Sequence, residues 1–125
     1  MRNPTIRLLA TDQDLTPGGS RVFGGWTMSY ADLAASIVAV QTADGDVVTV
    51  SVENVRFLKP INVGDIVSFY AVLTSAGKTS MKIDVDVVAC RSWGRGEQEV
   101  VATSTFIYVS IDKQGNPRPL QLKQD

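Results

Sequence analysis

The chain has 125 residues, 44% of them apolar and 20% charged, with a formal net charge of −1, and this fits one ordinary globular domain spanning 1–125. Twelve basic residues scattered among thirteen acidic ones make no electrostatic footprint, so no nucleic-acid partner is expected. The absence of histidine removes Ser-His and Cys-His pairs, His-ligated zinc and imidazole catalysis, and a lone cysteine, Cys90, leaves neither an internal disulfide nor a structural zinc site to build.

Residues 4–11, PTIRLLAT, read as a short edge strand, and the N-terminal stretch MRNPTIRLLATDQD lacks an apolar run of secretory-signal length, so no secretory signal is expected. A cytoplasmic location is the simplest fit for such a chain with one cysteine. DQDLTPGGSR follows as a loop, built on Pro17, Gly18 and Gly19. From Val22 to Ala43 the only charge is Asp32, and ADLAASIVA is a good helix former. Thr27, Ser29, Tyr30, Asp32, Ser36 and Gln41 interrupt this run too often for a membrane span. It predicts a helix apolar around most of its circumference, wrapped by other structure.

After the turn ADGD the pattern changes to period two. VVTVSVENVRFL, DIVSFYAVLTSA, MKIDVDVVACRSW and EVVATSTFIYVSID predict four long strands, separated by KPINVGD, GKTS and GRGEQ. Lys82, Asp84 and Asp86 alternate with Ile83, Val85 and Val87, which marks a sheet with one wet face and one covered face. Tight turns predict antiparallel neighbours, and residues 114–125 predict an extended polar tail. One apolar helix against the apolar face of such a sheet is an α+β hot-dog arrangement, an antiparallel sheet wrapped around a long central helix.

Read from the residues alone, Asp32 has two roles open to it. Its carboxylate either bonds a neighbouring amide or hydroxyl, or reaches solvent at the sheet rim, because an ionised and unpaired carboxylate inside a covered helix is costly. Alternatively, it serves chemistry. Gly24 and Gly25, at the helix entry, either make a tight turn or present free backbone N–H groups and the positive dipole end to a developing oxyanion. Ser36, one turn beyond Asp32, either packs or orients a water or Asp32. Cys90 reads as a small strand residue, and Trp93 as a packing or subunit contact.

FGGW followed by MS and an Asp, then VVTVSVE, FLKPINVGD and GKTSMKI, resembles the YciA-like branch of the bacterial hot-dog acyl-CoA thioesterases, across Leu8 to Ile111. The resemblance implies hydrolysis of coenzyme A thioesters by a hot-dog homodimer, often assembled further into a hexamer, a trimer of dimers. Coenzyme A enters as part of the substrate, without a separate cofactor or metal. It also implies that Asp32 is the catalytic residue, as general base or as nucleophile. The loop DLTPGGSR departs from the family, which carries an Asn-rich segment ending in Gly-Asp where this chain has Pro17 and Arg21. That departure bears on substrate range and rate.

Gly24 and Asp32 are eight residues apart, or ~12 Å along one helix, whereas a base and an oxyanion donor must both lie about 3 Å from the reacting centre. Gly24 of one copy and Asp32 of another, on antiparallel helices about a two-fold axis, meet that requirement, and an isolated monomer would be inert. Gly77, Lys78, Thr79 and Ser80 resemble the family segment bordering pantetheine and nucleotide, with Lys59 and Arg56 as further phosphate candidates. Trp26, Tyr30 and Phe57 are candidates for the acyl pocket or plain core. A competing reading is a non-catalytic acyl-thioester binding or sensing module. A dehydratase on this fold would call for a histidine, and the chain has none.

Overall fold

The computed structural model describes residues 2–121. Five strands, β1 (Ile6–Leu9), β2 (Val47–Phe57), β3 (Ile66–Ala76), β4 (Ser80–Cys90) and β5 (Gln98–Ser110), form one antiparallel sheet in the order β1-β3-β4-β5-β2. One long helix, α1 (Gly24–Ala43), crosses its inner face. A 3-10 turn at Asp12–Asp14 sits inside the segment read as loop, closed by Asp14 accepting hydrogen bonds from the Thr11 main chain and hydroxyl.

The core follows directly from the two periodicities. Along β4, Met81, Ile83, Val85, Val87 and Ala89 are buried, while Lys82 and Asp84 stand in water. On α1, Thr27, Ala31, Ala35, Ala39 and Ala43 recur every fourth residue as a buried stripe of small side chains, flanked by Trp26 and Ala34. A ridge of alanines lets the helix backbone approach the sheet closely. α1 ends where Asp44 turns left-handed (φ 52°) and its N–H bonds the Val40 carbonyl at 2.8 Å, and Arg118 Nη2 donates to the Ala43 carbonyl at 2.7 Å.

Three expectations need revision. α1 is not covered all round: Leu33 and Val40 are 50% and 45% exposed, because the sheet of one chain reaches only the alanine face. β2 and β3 are consecutive but not neighbours, since β2 pairs with β5 at one edge and β3 pairs with β1 and β4. The connection 58–65 crosses the end of the sheet, a span of ~15 Å that eight residues reach easily. Finally, Arg91–Gly94 is not strand: Ser92 and Trp93 take left-handed φ of 53° and 58°, and Arg91 turns back across the sheet end. After β5, Ile111 bridges Pro117, and the Arg118 N–H bonds the Ser110 carbonyl, so 112–118 doubles back on the strand end. The tail expectation also reaches 122–125, outside the described residues.

Candidate active site

Two hollows open toward the β2 edge, near its two ends. The first, about 420 Å³, is lined by Ser29, Tyr30, Asp32, Leu33 and Ser36 of α1, Val47 and Thr49 of β2, and Tyr108 of β5. Thr49 and Tyr108 are cross-strand partners, which puts both on the face that looks at α1. The Thr49 hydroxyl donates to Asp32 Oδ1 at 2.9 Å, and the Tyr108 hydroxyl donates to the same Oδ1 and to the Asp32 main-chain carbonyl, the latter at 2.7 Å. Burial raises the Tyr108 pKa well above its ordinary value, and the Asp32 carboxylate raises it further, so the phenol stays a proton donor. Among the described residues, Oδ2 of Asp32 accepts no hydrogen bond. The carboxylate is therefore anchored by one oxygen and offers the other to the hollow.

The second hollow, about 430 Å³, lies at the start of α1 and is lined by Arg21, Val22, Gly24 and Thr27, by Phe57, Leu58, Lys59, Pro60 and Ile61, and by Val101 and Ala102. Phe23 is the N-cap of α1 and carries no side-chain acceptor; the Trp26 N–H bonds the Phe23 main-chain carbonyl at 3.1 Å, while no side-chain cap covers the N–H groups of Gly24 and Gly25. A Cβ on Gly24 would stand 3.2 Å from the Phe57 ring, so glycine is what allows the strand-end aromatic to lie against the helix start. Two cationic side chains, Arg21 and Lys59, border this hollow, which gives it the opposite charge to the first.

Lys59 is not a freely moving cation. Its Nζ donates to Glu99 Oε1 at 2.9 Å, while Arg91 donates through Nε and Nη2 to Glu99 Oε2 at 3.1 and 2.8 Å. Arg91 Nη1 also reaches the Pro60 carbonyl at 2.9 Å and the buried Asp65 carboxylate. Hydrogen bonds from Lys59 and Arg91 hold the Glu99 pKa below the usual glutamate value. Burial pulls the Arg91 guanidinium down, but its bonds to Glu99 and Asp65 outweigh this and raise it. The network ties the 58–65 connection to the start of β5 and so shapes one wall of the second hollow.

The remaining candidates are spread. Ser36 lines the first hollow and donates to the Leu33 carbonyl of its own helix at 2.7 Å. Gly25 is exposed beside the Phe23 ring. Trp26 lies in the core against Tyr30 and Phe69, with ring centroids 5.1 and 6.1 Å away, and lines neither hollow. Gly77, Lys78, Thr79 and Ser80 form a tight β3–β4 turn closed by the Gly77 N–H to Ser80 carbonyl bond. This turn stands beside the Asp32 end of the sheet, since Ser80 and Met81 lie opposite Val109 and Tyr108. Arg56 points away from both hollows, on the outer sheet face with Asn54, Asp84, Asp86, Thr103 and Thr105. The residues that sequence reasoning passed over are Thr49, Tyr108 and Arg21. The β5 alternation does carry a signal for Tyr108, because it shares parity with the buried Phe106.

An antiparallel five-stranded sheet with one helix on its inner face, and a half-buried carboxylate at the helix midpoint beside the edge strand β2, defines a hot-dog protein. The thioesterase superfamily model matches residues 19–90, and the chain belongs to that superfamily. It is 40% identical over 120 residues to the acyl-CoA thioester hydrolase YciA of Salmonella typhimurium, covering 94% of this chain and 90% of that one. Its structure is similar to that of the hexameric thioesterase y2039 of Yersinia pestis, with a TM-score of 0.90, 36% identity and 97% of each chain covered. It is similar too to Cj0915, a hexameric hotdog fold thioesterase of Campylobacter jejuni, with a TM-score of 0.87, 35% identity and 94% and 90% of the two chains covered. Among the described residues, no helix is long and apolar enough to cross a membrane.

Proposed function

We propose that this protein hydrolyses the thioester of acyl-CoA to a free acid and coenzyme A, at a site shared between two copies of the chain. The observation that carries this reading is the placement of two complementary half-sites along one edge strand. β2 is an edge strand, with nothing paired on its outer side among the described residues, and it carries exposed Val48, Val50, Val52 and Phe57. Thr49 of the Asp32 hollow and Phe57 of the Gly24 hollow lie eight residues apart on it, or ~26 Å. If two β2 edges pair antiparallel about an axis near Val52 and Glu53, Thr49 of each copy comes beside Phe57 of the partner subunit. Each Asp32 then faces Gly24 of the partner subunit, and the exposed Leu33 and Val40 of α1 gain a covering surface. The same pairing removes a long apolar edge that would otherwise invite aggregation.

In that site Asp32 Oδ2 accepts a proton from water as the water oxygen bonds the thioester carbon. Charge developing on the carbonyl oxygen is met by the N–H at Gly24 of the partner subunit and by the helix dipole behind it. Collapse of the tetrahedral species breaks the carbon–sulfur bond, and the thiolate of coenzyme A leaves. Direct attack by Asp32, forming a mixed anhydride that water then cleaves, uses the same atoms in two steps. Coenzyme A supplies its own binding groups and no further cofactor enters. Lys78 in the turn beside one half-site, and Lys59 and Arg21 beside the other, offer positive charge to its phosphates.

The test is thiol release from acyl-CoAs of graded chain length by wild type and Asp32→Asn. Asparagine keeps an Oδ1 for Thr49 and Tyr108 to bond, so the fold should survive while turnover falls by ~10²–10⁴-fold. Undiminished turnover in the variant would refute the assignment. Tight binding of acyl-CoA by the wild type without turnover would make it a binding module instead.

A further inference from the structure

The Asp32 carboxylate is fixed from behind by a buried tyrosine. Tyr108 is 1% exposed, on the inner face of β5, with its ring stacked near Phe106 at a centroid distance of 6.4 Å and an interplanar angle of 28°. It lies opposite Met81 on one side and Thr49 on the other. Ring motion is thus restricted by strands on both sides. Its hydroxyl contacts one residue twice, the main-chain carbonyl of Asp32 at 2.7 Å and Oδ1 of the same side chain. A single phenol therefore fastens the middle of α1 to β5 and sets the rotamer of the carboxylate at once. Removing it leaves Asp32 held by Thr49 alone, on a hydroxyl that stands at the exposed edge strand.

We infer that Tyr108 is a positioning residue for the hydrolysis proposed above: by occupying Oδ1 and the main-chain carbonyl of Asp32, it turns Oδ2 into the single reacting oxygen and aims it into the hollow. The inference rests on Asp32 being the reacting carboxylate. A general base or nucleophile has to be held within about 0.5 Å of its productive position, and an aspartate with two soft torsions does not hold itself there. Tyr108 does not touch the reacting atoms. Its contribution runs through Asp32, so it should appear in turnover and not in substrate affinity. The other titratable side chain lining the hollow is Tyr30, whereas Lys82 and Asp84 of β4 stand on the outer face.

The test is a double-mutant cycle in steady-state thiol release. Tyr108→Phe keeps the ring and deletes the hydroxyl, and it should lower kcat by about 10–100-fold, the scale of one hydrogen bond to a charged group, with KM within about threefold of wild type. In an Asp32→Ala background, where there is no carboxylate to aim, the same change should alter the residual rate by less than about twofold. An unchanged kcat in Tyr108→Phe, or an equal loss in both backgrounds, would overturn the positioning role while leaving the Asp32 assignment intact. Wild-type activity in Asp32→Ala would instead bring down the proposed function. Should Tyr108→Phe fail to fold, a crystal structure of the wild-type dimer decides the matter: the Tyr108 hydroxyl should lie within hydrogen-bond reach of Oδ1, with Oδ2 facing the cleft. A hydroxyl bonded elsewhere would refute the inference.

Discussion

Replacing Val52 with aspartate tests the proposed shared site at its proposed two-fold axis. Val52 lies opposite Phe106, on the helix-facing side of β2, and is 42% exposed in the single chain. Association can therefore bury at most about two fifths of a valine's 1.5–3 kcal/mol, or roughly 1 kcal/mol per copy and 2 per dimer. The larger effect is electrostatic, because a residue near a two-fold axis meets its own image. Two carboxylates brought together there cost several kcal/mol more. The sum, roughly 4–6 kcal/mol, weakens the dimer by about 10³–10⁴-fold at 1.4 kcal/mol per decade. In the monomer the new carboxylate can turn to water, so circular dichroism should report an intact fold. The assay is thiol release measured alongside light scattering over a wide range of protein concentration. By light scattering Val52→Asp should have the mass of a monomer at micromolar concentration, with activity lost in step with the dimer and regained as concentration rises. A monomeric and fully active Val52→Asp would refute a site assembled from two chains, and so would a variant whose assembly is unaffected.

The charged network at the sheet end gives two further expectations. Arg91→Met leaves Asp65, 3% exposed in its side chain, without its cation, and should destabilise the fold by roughly 3 kcal/mol in urea or thermal unfolding. A variant as stable as wild type would show that the ion pair contributes nothing net. Glu99 has its folded pKa below the ordinary 4.5, so its contribution is present above that value and is lost as pH falls through the folded pKa. The stability difference between wild type and Glu99→Gln should accordingly be largest near neutral pH and shrink below about pH 4.5, as followed by denaturant titrations at a series of pH values. A difference that stayed constant down to pH 3 would remove the ion pairs with Lys59 and Arg91 from the account.

Much of this arrangement was legible in single stretches of sequence. MKIDVDVVA shows its buried and wet faces by alternation, and β4 follows it residue for residue. The residues of α1 were legible as a helix, and Asp32 as its one charge. What covers the helix was not, because alanines spaced four apart pack on the sheet whereas Leu33 and Val40 lie beyond its reach and stay exposed in the single chain. Arg56 shows a second reason. The irregularity between Glu53 and Arg56, where Asn54 turns left-handed with φ 53°, shifts the strand's parity, so that Arg56 pairs with Thr103 on the outer face and Phe57 turns inward. A pattern of period two has no mark for the extra residues that reset it.

Local order in this chain is thus a property of its sequence: turn residues, a period of two, a run of helix formers and a carboxylate placed among them each act over a few neighbouring residues. The site belongs to the tertiary structure. Tyr108 is 76 residues from Asp32 and Thr49 is 17 residues away. Their convergence depends on β2 leaving the side of β3 to pair with β5, a choice made by the packing of whole strand faces against one helix.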